Sequence, residues 1–242
     1  NATMPFDTPD LNFPGVLPSR QKRSRETTAA LLRAGAEMLR THRLEDLSIE
    51  ALCAEINVTV GAFYSRFESK DAYFNALLSL TGHDGALMRS RMMHDQALAE
   101  LSLEALCDVL VEGIVSWMRN HEGVLRAALQ RGDSREAKWS TFKDLARNGV
   151  VVATPALLRA MGPGQRAAKT RAVGFGFQVI FGTLVNAILN DPGPLSLHDK
   201  ELSVRLSQCF QLLIKTETRP SSAKTTASKT ALRLKGTTRA KT

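Results

Sequence analysis
Three cysteines are all that this chain of 242 residues contains: Cys53, Cys107 and Cys209, odd in number and far apart. So sparse a set excludes a disulfide framework and points to a reducing cytoplasm. Each lies in an apolar helical pattern, where a thiol serves as a small buried hydrophobe. Alternating β-branched stretches are also missing, which argues against a sheet architecture. The most apolar run, residues 173–189, is broken by Gln178, Thr183, Asn186 and glycines, short of the ~20 clean apolar residues that span a bilayer. The first residues carry Pro5, Pro9, Pro14 and Pro18 but no apolar h-region, so no secretory signal is expected. A cytoplasmic protein with no membrane partner is expected.

Catalytic signatures are equally scarce. His42, His83, His94, His121 and His198 show no metal-ligand spacing, and Asp84 and Asp95, each next to a histidine, diverge from it on a helix. No P-loop, Gly-x-Ser-x-Gly or dinucleotide fingerprint follows a strand. Gly162-Pro163-Gly164 breaks a helix and does not cradle phosphate. No enzyme activity, cofactor or metal is expected.

The net charge of +8 invites a nucleic-acid partner, but its location weakens the invitation. Arg219, Lys224, Lys229, Arg233, Lys235, Arg239 and Lys241 supply seven of those charges, leaving about +1 for everything before them. This Ser/Thr/Ala/Lys-rich tail, residues 217–242, has the composition of a disordered segment. A second basic cluster, Arg20, Lys22, Arg23 and Arg25, stands just before the first helical pattern, placed to reach phosphates or a minor groove.

The informative stretch is residues 48–70, SIEALCAEINVTVGAFYSRFESK. Ile49, Leu52, Cys53 and Ile56 recur at helical spacing, and Ser48 is a good N-cap for them. Asn57 sits where the chain needs a left-handed residue, a conformation that asparagine tolerates. Thr59 can cap a second helix over about 60–67, with Phe63 and Phe67 on its inner face. That is a helix-turn-helix pattern. The other side of the second helix presents Val60, Gly61, Ala62, Ser65 and Arg66, mostly small, so that its backbone can approach DNA. Only Arg66 among them can make a bidentate contact to guanine.

Around this pair the periodicity predicts an all-α chain of about nine helices. Helix one covers about 26–41, and a fourth helix begins near Lys70, capped by Ser69 and interrupted by Gly82 and Gly85. Helix five covers about 102–120, with Leu106, Val109, Leu110, Gly113, Ile114 and Trp117 on one face. A short helix follows near 123–130, then one over about 134–161 in which Pro155 predicts a kink or break. Helix eight, about 164–190, is apolar on more than one side and must be covered accordingly, and Gly174, Gly176 and Gly182 would admit a close neighbour. Helix nine covers about 196–215, with Leu202, Leu206, Phe210 and Leu213 inward.

Val58, Thr59, Gly61, Phe63, Tyr64, Phe67, Ser69, Lys70 and Asp71, in continuous register behind an alanine-rich first helix, resemble the N-terminal domain of the tetracycline-repressor-type (TetR) transcriptional regulators. The likeness runs over about residues 27–78. Arg43 and Asn57 depart from it, standing where the family usually has glycine, and Arg43 implies a different exit turn from helix one. The resemblance implies a homodimeric, ligand-responsive regulator, more often a repressor, that binds a palindromic operator in double-stranded DNA. The segments expected are an N-terminal arm (1–24), a DNA-binding domain (25–70), an effector-binding and dimerisation domain (71–216) and the basic tail.

By the family's mode the helix near 60–67 enters the major groove, while Ser48, Thr59, Tyr64 and Lys70 fall at phosphate-contacting positions. An effector pocket among helices five to eight would draw on Trp117, Met118, Phe142, Phe175, Phe177 and Gln178. A dimer interface on helices eight and nine would use Gly174, Phe181, Val185, Leu202, Leu206 and Phe210. The effector is a small molecule that the sequence does not identify. A second reading, from the small and apolar set Val60, Gly61 and Ala62, is a small-molecule-binding or protein-interaction module that does not read DNA sequence.

Overall fold
The computed structural model describes residues 14–17, 21–94, 98, 100–131 and 135–216, the side chains at 93–94 and 135–146 excepted. Among the described residues there are nine helices and no strand. They are α1 Lys22–Met38, α2 Ile49–Glu55, α3 Val60–Tyr64, α4 Lys70–His94, α5 Leu103–Asn120, α6 Glu122–Gln130, α7 Arg135–Ala160, α8 Arg166–Asn190 and α9 Lys200–Thr216. Helices α1–α3 with the start of α4 form a small head, and the rest of α4 packs on α6 and α7, which with α5, α8 and α9 make up the body.

The head is held by aromatic rings. Phe63, Phe67 and Tyr73 are fully buried, with centroids 5.0–5.3 Å apart. Leu31, Leu32, Leu47 and Leu52 join them in the core. The Tyr73 hydroxyl donates to Leu31 O at 2.8 Å, so its one polar atom is satisfied inside the core. Burial pushes the phenol's pKa well above its ordinary value.

Several element boundaries differ from the periodicity. Helix α1 starts at Lys22 and stops at Met38; within it the Thr27 and Thr28 hydroxyls donate back to Arg23 O and Ser24 O, in a first turn rich in cations. Arg43 has no left-handed backbone: among non-glycine described residues only Asn57 (φ 55°) and Asp191 (φ 40°) do. The exit from α1 therefore takes another route, and the Asn57 expectation holds. Helix α4 runs unbroken through Gly82 and Gly85. Gly85 is there for packing, since a Cβ on it would stand 3.1 Å from Trp117 Nε1. Helix α7 likewise continues through Pro155; Val151, whose carbonyl loses its donor, is exposed.

On α5 the stripe buried deepest is Cys107, Val111, Val115 and Met118, whereas Val109 is exposed, because the helix packs on α9 along one side and borders a cavity along another. Helix α9 lies across α5 and α8, which buries Leu202, Leu206, Phe210 and Ile214 inside the protomer and leaves Cys209 exposed. The expectation of three buried thiols is thus corrected at Cys209, which is one position off the inward stripe. Gly176 lets Phe210 lie against the backbone of α8: a Cβ there would stand 2.3 Å from its ring. By length and composition α8 is apolar enough to cross a bilayer, contrary to the sequence expectation; here Val173, Phe177, Ile180, Leu184 and Ile188 are covered by neighbouring helices.

One buried cation closes the α7–α8 turn. Lys169, 5% exposed, donates from Nζ to the carbonyls of Met161 (3.2 Å), Gly162 and Pro163 (3.0 Å). It caps the carbonyl end of α7, just where the left-handed Gly162 (φ 68°) ends the helix. Lys169→Met keeps the stem and removes the donors, and is expected to cost about 2–3 kcal/mol of unfolding free energy in urea titration.

Candidate nucleic-acid interface
Each helix of the α2–α3 pair begins on a side-chain cap. Ser48 Oγ accepts from Ala51 N at 3.0 Å, and Thr59 Oγ1 accepts from Ala62 N at 3.2 Å. Ser48 Oγ also donates to Glu50 Oε2 at 2.9 Å. Helix α3 ends at Tyr64 and not near 67, but Ser65 N→Gly61 O and Phe67 N→Phe63 O (both 3.0 Å) carry the turn on. Phe63 anchors it inward. Its outer side exposes Gly61, Tyr64 and Ser65, with Val60, Ala62 and Arg66 half-buried. Nothing but the Thr59 hydroxyl stands near a Cβ position on Gly61, so this backbone lies open to a large partner.

Arg66 is turned back on its own domain. Its NH1 donates to Ala62 O and, at 2.9 Å, to Ser65 Oγ, while Nε donates to Ser24 O at 3.4 Å. Partial burial lowers the guanidinium's pKa from its ordinary value. To reach a base it must exchange these acceptors for a guanine edge. The Ser24 contact also sets the first turn of α1, with Lys22, Arg23 and Arg25 exposed, beside the end of α3. Arg20 lies outside the described residues. Leu17 N donates to Arg66 O at 2.8 Å, so residues 14–17 of the N-terminal arm rest on the same corner. Tyr64 is 50% exposed with its ring edge-on to Phe63, and Lys70 Nζ donates to Glu45 O at 3.0 Å. The surface is a small-residue helix bordered by cations, a shape suited to a groove and its phosphates.

Head and body meet where α6 abuts the end of α1. Arg126 NH2 donates to Leu39 O (3.1 Å) and Arg40 O (2.7 Å), and NH1 pairs with Glu122 at 2.9 Å. Glu122 also accepts from His198, just before α9, at 2.7 Å. A Cβ on Gly123 would fall 2.4 Å from the backbone of Leu39, so the two chains touch main chain to main chain.

Between α4, α5, α7 and α8 lies a partly open cavity of ≈ 60 Å³. Trp117 and Phe177 line it. Met118 is buried but is not in its wall, Phe175 and Gln178 are exposed away from it, and the Phe142 side chain lies outside the described residues. Met88, Arg89 and Met92 of α4 form a wall that the sequence analysis did not select; the i, i+4 methionine pair was its only signal. Of the residues expected at a dimer contact, Leu202, Leu206 and Phe210 are interior, and Phe181 lines the cavity and stacks on Phe177 at 6.4 Å. Gly174 and Val185 are half-buried. The apolar groups that α8 and α9 leave exposed are Phe175 (48%), Val204 (53%) and Leu212 (63%), with Gly182 open beside them.

Residues 31–77 match the family model described as bacterial regulatory proteins, tetR family. A search of curated proteins gives no match. Among solved structures, a tetR-family transcriptional regulator from Streptomyces coelicolor is similar, with a TM-score of 0.59 and 15% identity over 79% of this chain and 82% of that one. A transcriptional regulator from Cytophaga hutchinsonii aligns at 0.57 and 10% identity over 79% and 96%. One from Aquifex aeolicus, described as TerR/AcrR family, aligns at 0.55 and 16% identity over 77% and 99%. At these identities the likeness is one of fold.

Proposed function
We propose that the chain is a TetR-type regulator, a cytoplasmic, homodimeric repressor whose hold on a palindromic operator is released by a small-molecule effector; the match of residues 31–77 to the tetR family model supports this reading. The observation that carries this is the exposed, small-residue side of α3, which lies within the segment that the family model matches, beside the cations Lys22, Arg23 and Arg25 at the start of α1. In each protomer α3 enters the major groove with Val60, Gly61, Ala62, Ser65 and Arg66 toward the bases. Ser48, Thr59, Tyr64 and Lys70 then lie toward phosphates, which position the domain without specifying sequence. A two-fold axis sets the two reading helices ~34–36 Å apart, one turn of DNA.

Dimerisation is assigned to the outer faces of α8 and α9. Phe175, Gln178 and Gly182 form one stripe, and Val204, Gln208 and Leu212 another, in place of the interior Leu202, Leu206 and Phe210. Val204→Asp with Leu212→Asp puts unpaired carboxylates into that contact. Sedimentation velocity is expected to show a folded monomer; a dimer of unchanged affinity moves the interface elsewhere.

Base reading is tested at Arg66. Arg66→Ala is expected to erase a guanine preference in each half-site, worth ~1–3 kcal/mol, in competition binding against duplexes changed one base at a time. Unchanged preference at every position confines Arg66 to capping α3.

A further inference from the structure
The cavity wall holds one charged group. Arg89 enters it among Met88, Met92, Leu110, Ile114 and Phe177, and no carboxylate belongs to the lining. Arg89 is half-buried, and it makes no hydrogen bond or ion pair with any described residue, unlike Arg66, Arg119 or Arg126. Partial burial lowers its pKa from the ordinary value, the mark of a cation short of water. Beside it stands Trp117, 7% exposed, whose Nε1 is the one buried side-chain nitrogen or oxygen among the described residues without a hydrogen-bond partner. The two donors converge: a Cβ on Gly85 would lie 3.1 Å from Trp117 Nε1 and 3.3 Å from Arg89 NH1. A guanidinium and an indole N–H without partners among the described residues, close to one another on two residues of an apolar cavity wall, leave a deficit that one oxyanion removes.

We propose that this cavity takes an amphipathic organic acid, its carboxylate seated on Arg89 within reach of the Trp117 N–H and its apolar body between the α4 methionines and Phe177. The proposal deepens the effector role assigned above and rests on it. Methionine side chains are flexible, so Met88 and Met92 adjust the small enclosed volume to the length of the tail. A neutral isostere loses the charge-assisted bond but keeps the apolar burial, and an ammonium group meets a like charge.

The test uses calorimetry on the full chain with three probes below their critical micelle concentrations: decanoate, decanamide and decylammonium. Decanoate is expected to bind about tenfold more tightly than decanamide, with decylammonium weakest. Arg89→Met is expected to abolish the acid preference while keeping decanamide binding, which shows that the cavity is still formed. Arg89→Lys, which retains the charge, restores most of it. Trp117→Phe, of similar shape but without the N–H, lowers the decanoate affinity alone. Equal affinities in the unmodified protein, a tenfold preference surviving in Arg89→Met, or no binding of any probe overturns the proposal. DNA selection is performed without these probes, so a palindrome recovered alongside a failed acid preference discards the acid and leaves the regulator standing.

Discussion
Gly35→Ala is expected to destabilise the head by about 3 kcal/mol, although the same change in an open helix stabilises by up to ~1 kcal/mol. The sign reverses because of Tyr73. A Cβ on Gly35 would stand 1.7 Å from the Tyr73 hydroxyl and 2.8 Å from Cζ, and the ring is fully buried. Any shift that relieves the clash also stretches the bond to Leu31 O and leaves a buried hydroxyl without its acceptor. Tyr73→Phe alone is expected to cost about 1 kcal/mol. In the double variant the hydroxyl is gone and the new methyl meets only the ring, so the two costs are expected to fall short of additive by at least ~1 kcal/mol. Urea titrations of the four proteins complete the cycle. Additive costs would mean that the ring and the glycine do not meet. Because Phe63 packs on Tyr73 with centroids 5.3 Å apart, DNA affinity is expected to fall in the same order.

The second large effect lies at the joint between head and body. Gly123→Ala sets a methyl 2.4 Å from Leu39 C and O and 2.6 Å from Arg40 N, which are backbone atoms that no rotamer change can move. The end of α1 must separate from α6, and Arg126 then loses the two carbonyls that it caps. A stability loss of about 2–3 kcal/mol is expected. Operator affinity is expected to drop at least about tenfold in protein that circular dichroism shows to be folded, because the spacing of two reading heads depends on how each sits on its body. Arg126→Ala, which removes the cap but not the contact, is expected to show a smaller loss. Unchanged operator affinity in folded Gly123→Ala would show that this joint does not place the head.

Much of the head was legible because its signals are local. Caps at Ser48 and Thr59, the left-handed Asn57 and the i, i+4 pair Phe63 and Phe67 lie within 20 residues and depend on little else. The body was legible as helices but not as surfaces. Leu202, Leu206 and Phe210 form as good an apolar stripe for a partner chain as for α5, and only the packing of α9 across α5 decides between them. Gly176 was legible as a site of close approach, though not its neighbour Phe210, whereas Gly85 read as an interruption and Gly123 carried no signal; each receives a particular neighbour from far along the chain. The same holds for Arg89 and Arg126. Spacing places a charge on a helix, but it does not say whether that charge meets a carbonyl, a carboxylate or nothing.

Sequence-specific DNA binding is the centre of the account, and selection of bound duplexes from a random pool tests it most directly. The expected result is a single palindrome, two protomers per duplex, with half-sites about one helical turn apart. Recovery of no sequence above background, with binding that appears only at low salt and falls equally for every duplex, would contradict it.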